Sequence, residues 1–212
     1  MFERELRTLA HVPRWSIIRT IRTQSVAEHS YYTAIYADQI AEYIEWKGDR
    51  FALMRFAMIH DMDEMLSGDI ASPAKAVLQQ GGGWRRFKDW TINLMSKRFH
   101  YFKDWFLPIN SEMYQILNVA DWLEGVLFLC DEEFLGNKNV RDVKTHCVNK
   151  LFEAVKLLPT SDKLKNDVDN WILKSIHYHS HSCDALAIDE MICPDIKDYM
   201  TESLSESEEG ES

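Results

Sequence analysis

One stretch limits what this chain can fold into more than any other: Ile59-His60-Asp61-Met62-Asp63-Glu64. Before it, Leu53, Met54, Phe56 and Ala57 recur three to four residues apart, the spacing of one helical face. Continued forward, that face carries His60, Asp61, Glu64 and Met65, in a helix expected to end between Glu64 and Leu66. Three ionisable side chains therefore stand where the pattern calls for core. Unpaired charge is too costly to bury in a small domain, so these groups need partners or a metal. A His-Asp pair with a Glu one turn later can serve a metal and the water beside it. This helix is the candidate active site.

Two more helices bring polar residues to inward positions. Ser25-Val26-Ala27-Glu28 is a capping box that opens a helix running to about Trp46. Its apolar stripe reads Tyr32, Tyr36, Ile40, Tyr43 and Ile44, and His29 falls on the same stripe. A single inward histidine is commonly a satisfied core residue; beside His60 and Asp61 it becomes a ligand candidate. A long helix from about Ser111 to Phe134 turns Tyr114, Leu117, Asp121, Glu124 and Phe128 inward, again with a carboxylate, Asp121, in a core position. His29, His60, Asp61 and Asp121 thus come from three helices. Two imidazoles and two carboxylates suit a first-row divalent ion (Mn, Fe, Co or Zn) better than Ca or Mg. Four protein ligands leave positions open for water and substrate, as a catalytic site requires.

The remaining segments are read more briefly. Residues 6–22, with Arg7, Arg14, Arg19 and Arg22 and almost no acid, form either a solvated basic face or a local anion-binding patch. Arg14-Trp15 sets a guanidinium beside an indole, a pair able to hold a phosphate and cover apolar surface. In the loop Ser67-Gly68-Asp69-Ile70-Ala71-Ser72-Pro73, Ser72 is expected as the N-cap of a new helix with Pro73 at its first position. Its hydroxyl and the free amides are a phosphate or sugar contact, or a plain cap. Gly81-Gly82-Gly83 is a turn without the spacing or lysine of a P-loop. The aromatic-rich residues 84–106 are core or interface material. Amphipathic helices are expected at about 140–158 and 161–177, and β-hairpin signals are absent. His177 to Cys183 has alternate spacing that suits an extended strand or loop and matches no zinc site.

At 212 residues the chain has room for one substantial core, taken as a single domain over residues 1–200. From Thr201 onward five glutamates among serines read as a disordered acidic tail. A net charge of −10 argues against a general grip on nucleic-acid polymers, which depends on Lys and Arg neutralising phosphates. No apolar run is long enough to span a membrane, and the charged N-terminus is not a secretory signal. Four cysteines, Cys130, Cys147, Cys183 and Cys193, show no CxxC and are expected as reduced thiols in the cytoplasm.

Five ordered blocks carry a family resemblance. They are His11-Val12-Pro13-Arg14-Trp15, Val26-Ala27-Glu28-His29-Ser30, His60-Asp61-Met62-Asp63-Glu64, Gly68-Asp69-Ile70-Ala71-Ser72-Pro73-Ala74-Lys75 and Ala120-Asp121-Trp122-Leu123-Glu124. In their order His…His-Asp…Asp the chain resembles the HD-domain metal-dependent phosphohydrolases, and most closely their branch of YfbR-type bacterial 5′-deoxynucleotidases. The resemblance spans residues 11 to about 136. It implies an all-α helical bundle in which His29, His60, Asp61 and Asp121 bind one divalent transition ion (Co, Mn or Zn). It implies that Glu64 and Asp69 serve the reaction and that Arg14, Trp15, Asp69, Ile70, Ala71, Ser72 and Lys75 meet the substrate.

The implied reaction is hydrolysis of deoxynucleoside 5′-monophosphates to deoxynucleoside and phosphate. Glu64 could accept a proton from the attacking water. Asp69 could position that water or assist the leaving O5′. Trp15, pressed on the sugar, would make a 2′-hydroxyl unwelcome. Alternatives are a deoxynucleoside di- or triphosphate phosphohydrolase, such as the phage enzymes that remove dATP, and a non-catalytic nucleotide-binding scaffold. A homodimer or higher homo-oligomer is the assembly common in the resembled branch. Met62-Asp63 depart from the small residues often found there.

Overall fold

Every regular element among the described residues is helical, so the all-α expectation holds. The structure is a computed structural model that describes residues 7–99 and 109–181. A 3-10 turn, Arg7–His11, leads into a loop that folds back on itself, where Arg14 N–H donates to the Gln24 carbonyl (2.9 Å) and Val26 N–H to that of Val12 (3.0 Å). Helix α1, Val26–Tyr43, then begins as its capping box requires: the Ser25 hydroxyl accepts from Glu28 N–H at 3.1 Å. Its buried face is Val26, His29, Ser30, Thr33, Ala34, Ala37, Ile40 and Ala41. The expected aromatic stripe is corrected here, because Tyr32 and Tyr43 are 43% and 42% exposed. Alanines contribute little hydrophobic signal, yet their small size lets neighbouring helices approach; the tyrosines flank that contact, Tyr43 against Trp171.

Helix α2, Arg50–Ile59, is capped by Asp49, whose carboxylate accepts from Ala52 N–H, and it buries Leu53, Phe56 and Ala57. The expected continuation to Glu64 or beyond does not occur. The helix ends at Ile59, residues 60–63 form tight turns, and a four-residue helix α3, Glu64–Ser67, follows. Met62 N–H reaches the Ile59 carbonyl and Glu64 N–H that of Asp61, both at 3.0 Å, so bonds to the third residue back replace those to the fourth. Gly68 closes α3 at φ 71°, a left-handed conformation that glycine takes without a Cβ clash.

Helix α4, Ser72–Gln80, is capped by the backbone of Ala71, and Ser72 is its first helical residue with no capping bond from its side chain. The N-cap expected at Ser72 is thus displaced by one position, with Pro73 in the first turn. After the turn at Gly82 (φ 66°), helix α5, Gly83–Arg98, buries Thr91 and Met95, with Phe99 following, and leaves Trp90 56% exposed. The other aromatics of the rich segment, Tyr101, Phe102, Trp105 and Phe106, lie outside the described residues.

Helix α6, Ser111–Phe134, is the central rod. Asn110 caps it, and Ile116, Val119, Ala120, Leu123, Val126, Leu129 and Cys130 are wholly buried. Each such aliphatic side chain contributes on the order of 1.5–3 kcal/mol by leaving water. Tyr114, expected inward, is 54% exposed and meets Phe56 edge-on at the rim. Helices α7, Arg141–Val155, and α8, Asp162–His181, complete the main core through Leu151, Ala154, Val168 and Ile172. The extended reading of His177 onward is overturned, since residues 177–181 continue α8; Ser182 and Cys183 lie outside the described residues. Cys130 and Cys147 are buried free thiols, and Cys183 and Cys193 lie outside the described residues.

A second, smaller core joins Leu9, Val12, Val26, Ile59, Met62, Met95 and Phe99. It fixes the loop before α1, both ends of the His60-Asp61 turn and α5 to one another. The described residues up to Ser180 group as one compact unit. The boundary expected at residue 200 and the acidic tail lie outside the described residues. No helix among those residues is long and apolar enough to cross a membrane.

Candidate active site

His29, His60 and Asp121 offer one ligand atom each, all within 4.8 Å of one another. His29 Nε2 lies 3.0 Å from Asp121 Oδ1 and 3.7 Å from Asp61 Oδ2, and His60 Nε2 lies 3.1 Å from Asp61 Oδ2. The four expected ligands therefore converge. α1 supplies His29, the turn after α2 supplies His60 and Asp61, and α6 supplies Asp121. Ending α2 at Ile59 is what brings this about, because the tight turn swings Asp61 towards both imidazoles.

The protonation pattern tests whether a cation fits. His60 Nδ1 lies 2.6 Å from the Ala57 carbonyl, which can only accept, so the proton sits on Nδ1. His29 Nδ1 bonds Glu124 Oε2, an oxygen that also accepts from Arg14. While the rings are neutral, both Nε2 atoms carry lone pairs, and both are buried facing carboxylate oxygens at 3.0 and 3.1 Å. Two lone pairs facing carboxylate oxygens repel unless a positive charge stands between them. A divalent ion supplies that charge, and orienting each imidazole through its other nitrogen is how metal-binding histidines are held. The donor set fits. Without a metal, burial opposes charging His60, but Asp61 and Asp121 outweigh it and lift its pKa to about 9. Burial likewise opposes ionising Asp61, and His60 outweighs it, holding that carboxyl well below the usual range.

Glu64 lies beside this cluster at the start of α3, 3% exposed. Its Oε1 accepts from Lys75 Nζ at 3.0 Å, while its Oε2 is buried with no partner. Burial and then the Asp61 charge raise its pKa to about 7, against the pull of Lys75. A carboxylate poised near neutrality suits a general base. Asp69 accepts from the backbone N–H of Trp15 (3.2 Å) and stands 3.8 Å from Lys75 Nζ. Trp15 has φ 63°, an uncommon conformation for a bulky residue. Asp69 holds its backbone, Gln24 accepts from its indole N–H (2.9 Å), and its ring stacks on Phe128 (5.7 Å between centroids, 6° between planes). Arg14 folds over Trp15, 5.5 Å from the ring centroid, and bonds Glu124 at 3.2 Å. Arg14, Trp15, Glu64, Asp69 and Lys75 thus form one connected group. Ile70 and Ala71 are half-buried in the loop beyond it, and Ser72 is exposed at the start of α4.

Two residues given no role in the sequence reading prove central to the geometry. Glu124, 3% exposed, binds His29, Arg14 and, through Oε1, the Gln24 amide at 2.5 Å. Burial first and then Asp121 raise its pKa to about 7, with Arg14 opposing. Its spacing of three from Asp121, on one helical face, was the available signal. Gln24 carried none, since its partners are Trp15 and a glutamate 100 residues away. His179, from the histidine-rich segment, pairs instead with Asp131 at 2.7 Å.

Residues 6–82 match the family model of the HD domain, and the helical architecture with its His/His-Asp/Asp cluster is similar to that of HD-domain phosphohydrolases. Among characterised relatives, the chain is similar to the 5′-deoxynucleotidase YfbR of Salmonella typhi, 28% identical over 151 residues, which cover 63% of this chain and 73% of that one. It is 36% identical to its Escherichia coli O1:K1 counterpart over 80 residues, 35% of this chain and 39% of the relative. The chain thus spans only about two-fifths of that second relative. In fold it is similar to the HD phosphohydrolase DatZ of cyanophage S-2L, solved with dA and one catalytic Zn2+ ion. The TM-score is 0.65 at 17% identity, covering 84% of this chain and 96% of that one.

Proposed function

We propose that this protein is a metal-dependent 5′-deoxynucleotidase that hydrolyses deoxynucleoside 5′-monophosphates to deoxynucleoside and phosphate, and that it acts in the cytoplasm. The carrying observation is the pair of buried imidazoles, each anchored through Nδ1 and each presenting a buried Nε2 to the Asp61 and Asp121 carboxylates. One divalent transition ion held by His29, His60, Asp61 and Asp121 would supply Lewis-acid polarisation of the phosphoryl group. Around that position the chain supplies the rest. Glu64 presents a free, buried carboxylate oxygen to take the proton of the attacking water. Arg14 and Lys75 provide the positive charge that a phosphate dianion needs in order to enter a site lined by carboxylates. Asp69 fixes the Trp15 backbone and with it the indole, which covers the sugar. Asp69 also stands where it can orient water or assist the leaving O5′.

Product analysis tests this reading. The metal-loaded protein is incubated separately with dAMP, AMP, dADP and dATP in the presence of Mn2+ or Co2+, and the products are separated by chromatography. Phosphate from dAMP with little from AMP is the expected result. Tripolyphosphate and deoxyadenosine from dATP would move the substrate class to triphosphates. No turnover with metal bound would leave a binding protein.

A further inference from the structure

The turn that carries His60 and Asp61 is held by a helix that contributes no metal ligand. On α5, Lys88 Nζ lies 2.7 Å from Oδ1 of Asp63, a carboxylate 6% exposed and two residues after Asp61. The other oxygen, Asp63 Oδ2, is buried with no hydrogen-bond partner among the described residues, where Lys88 is the cation paired with this charge. The same helix contributes Met95 to the small core that contains Ile59 and Met62. α5 thus grips the turn by an apolar contact and by an ion pair. Trp84, one turn earlier on α5, carries Lys88 Nζ 5.0 Å from its ring centroid and Lys75 Nζ 5.7 Å from it. Both ammonium groups are within range of favourable interaction with the indole face. They reach consecutive carboxylates, Lys88 to Asp63 and Lys75 to Glu64.

We infer that Lys88 is a positioning residue, acting through Asp63 to hold the His60-Asp61 turn in the geometry that binds metal, with Trp84 as its brace. The inference rests on the metal-site reading above. Its physical core is the orphaned charge: without Lys88 the buried Asp63 carboxylate must draw towards water, and it takes the turn with it. Neutralising Asp63 removes that pull.

The test measures metal binding directly, with Zn2+ alone as the probe, by competition against a chromophoric chelator, and follows folding by far-UV circular dichroism. Lys88→Met is expected to keep the helical spectrum and weaken Zn2+ binding by about tenfold or more. Lys88→Arg, which keeps the charge, is expected to remain within about threefold of the parent protein. The double variant Asp63→Asn/Lys88→Met is expected to recover most of the loss. Lys88→Gln covers the case in which Lys88→Met does not fold, and is expected to lose affinity in the same direction. Unchanged binding in the folded single variant would reduce the pair to a structural contact and overturn the inference. A double variant as weak as Lys88→Met would show that Lys88 does not act through Asp63. If the parent protein itself binds no metal, the failure belongs to the metal-site reading and not to Lys88.

Discussion

Asp61 and Glu64 are three residues apart, and their surroundings assign them different work. Asp61 Oδ2 faces both imidazoles, whereas Glu64 keeps one buried oxygen free and gives the other to Lys75. Asp61→Ala should abolish both bound metal and turnover, measured by metal analysis and phosphate release; turnover without Asp61 would remove the single-site reading. Glu64→Ala should keep the metal and lose catalysis by about 10²–10⁴-fold, the usual contribution of a general base. Loss of metal in that variant would make Glu64 a ligand. Glu124 acts one atom further back. It is the partner that fixes the His29 ring, and Glu124→Gln should weaken metal binding by about 10–100-fold, as loss of such support commonly does. Titration of Zn2+ into the variant checks this, and unchanged affinity would mean that His29 is held by packing alone.

Among the elements, the loop before α1 is held at its far end by one carboxylate of α6. Glu132, fully buried near the end of α6, accepts from Ile21 N–H (2.6 Å), Arg22 N–H (2.7 Å) and the Asn137 amide (2.8 Å). Burial alone would raise its pKa, but the bonds from Asn137, Ile21 and Arg22 outweigh it and bring the value below the ordinary one. A carboxylate whose folded pKa is depressed contributes stability above its unfolded pKa, roughly 4.3, and that stability is lost as pH falls through the folded value. Thermal unfolding should therefore show acid destabilisation below about pH 4 that is smaller in Glu132→Gln. At neutral pH the same variant should be less stable by about 1–3 kcal/mol, because buried donors lose their acceptor. Equal acid sensitivity in the two proteins would place the titrating group elsewhere.

For the whole molecule, one ion would tie together α1, the turn after α2 and α6, parts that also meet through apolar contacts and, between α1 and α6, through the His29–Glu124 bond. A ligand that binds only the folded state at about 100 times its dissociation constant stabilises by about 2.7 kcal/mol. For a chain of this size that corresponds to a rise in Tm of about 5–10 °C. Chelator should remove this increment and Zn2+ or Mn2+ should restore it. A Tm indifferent to both would contradict a metal at this position.

The sequence by itself determined where most of the helices lie and that His29, His60 and Asp61 point inward, whereas Asp121, also read as inward, keeps a side chain 39% exposed. Periodicity specifies which face of a helix is apolar, and the cost of burying charge makes His29, His60, Asp61 and Asp121 conspicuous on such faces. The capping box at Ser25 and the span of α6 could be read for the same reason, since their causes lie within a few residues of chain. Tertiary structure decided what depends on contacts across long separations. The break of α2 at Ile59 follows from His60 turning back to Ala57 and from Ile59 and Met62 entering a core shared with Met95 and Phe99. Glu124 holds His29 from 95 residues away and Arg14 from 110, distances over which local pattern carries no information. The exposure of Tyr32, Tyr43 and Tyr114 has the same origin, because helices packed through small side chains leave large rings at the rim.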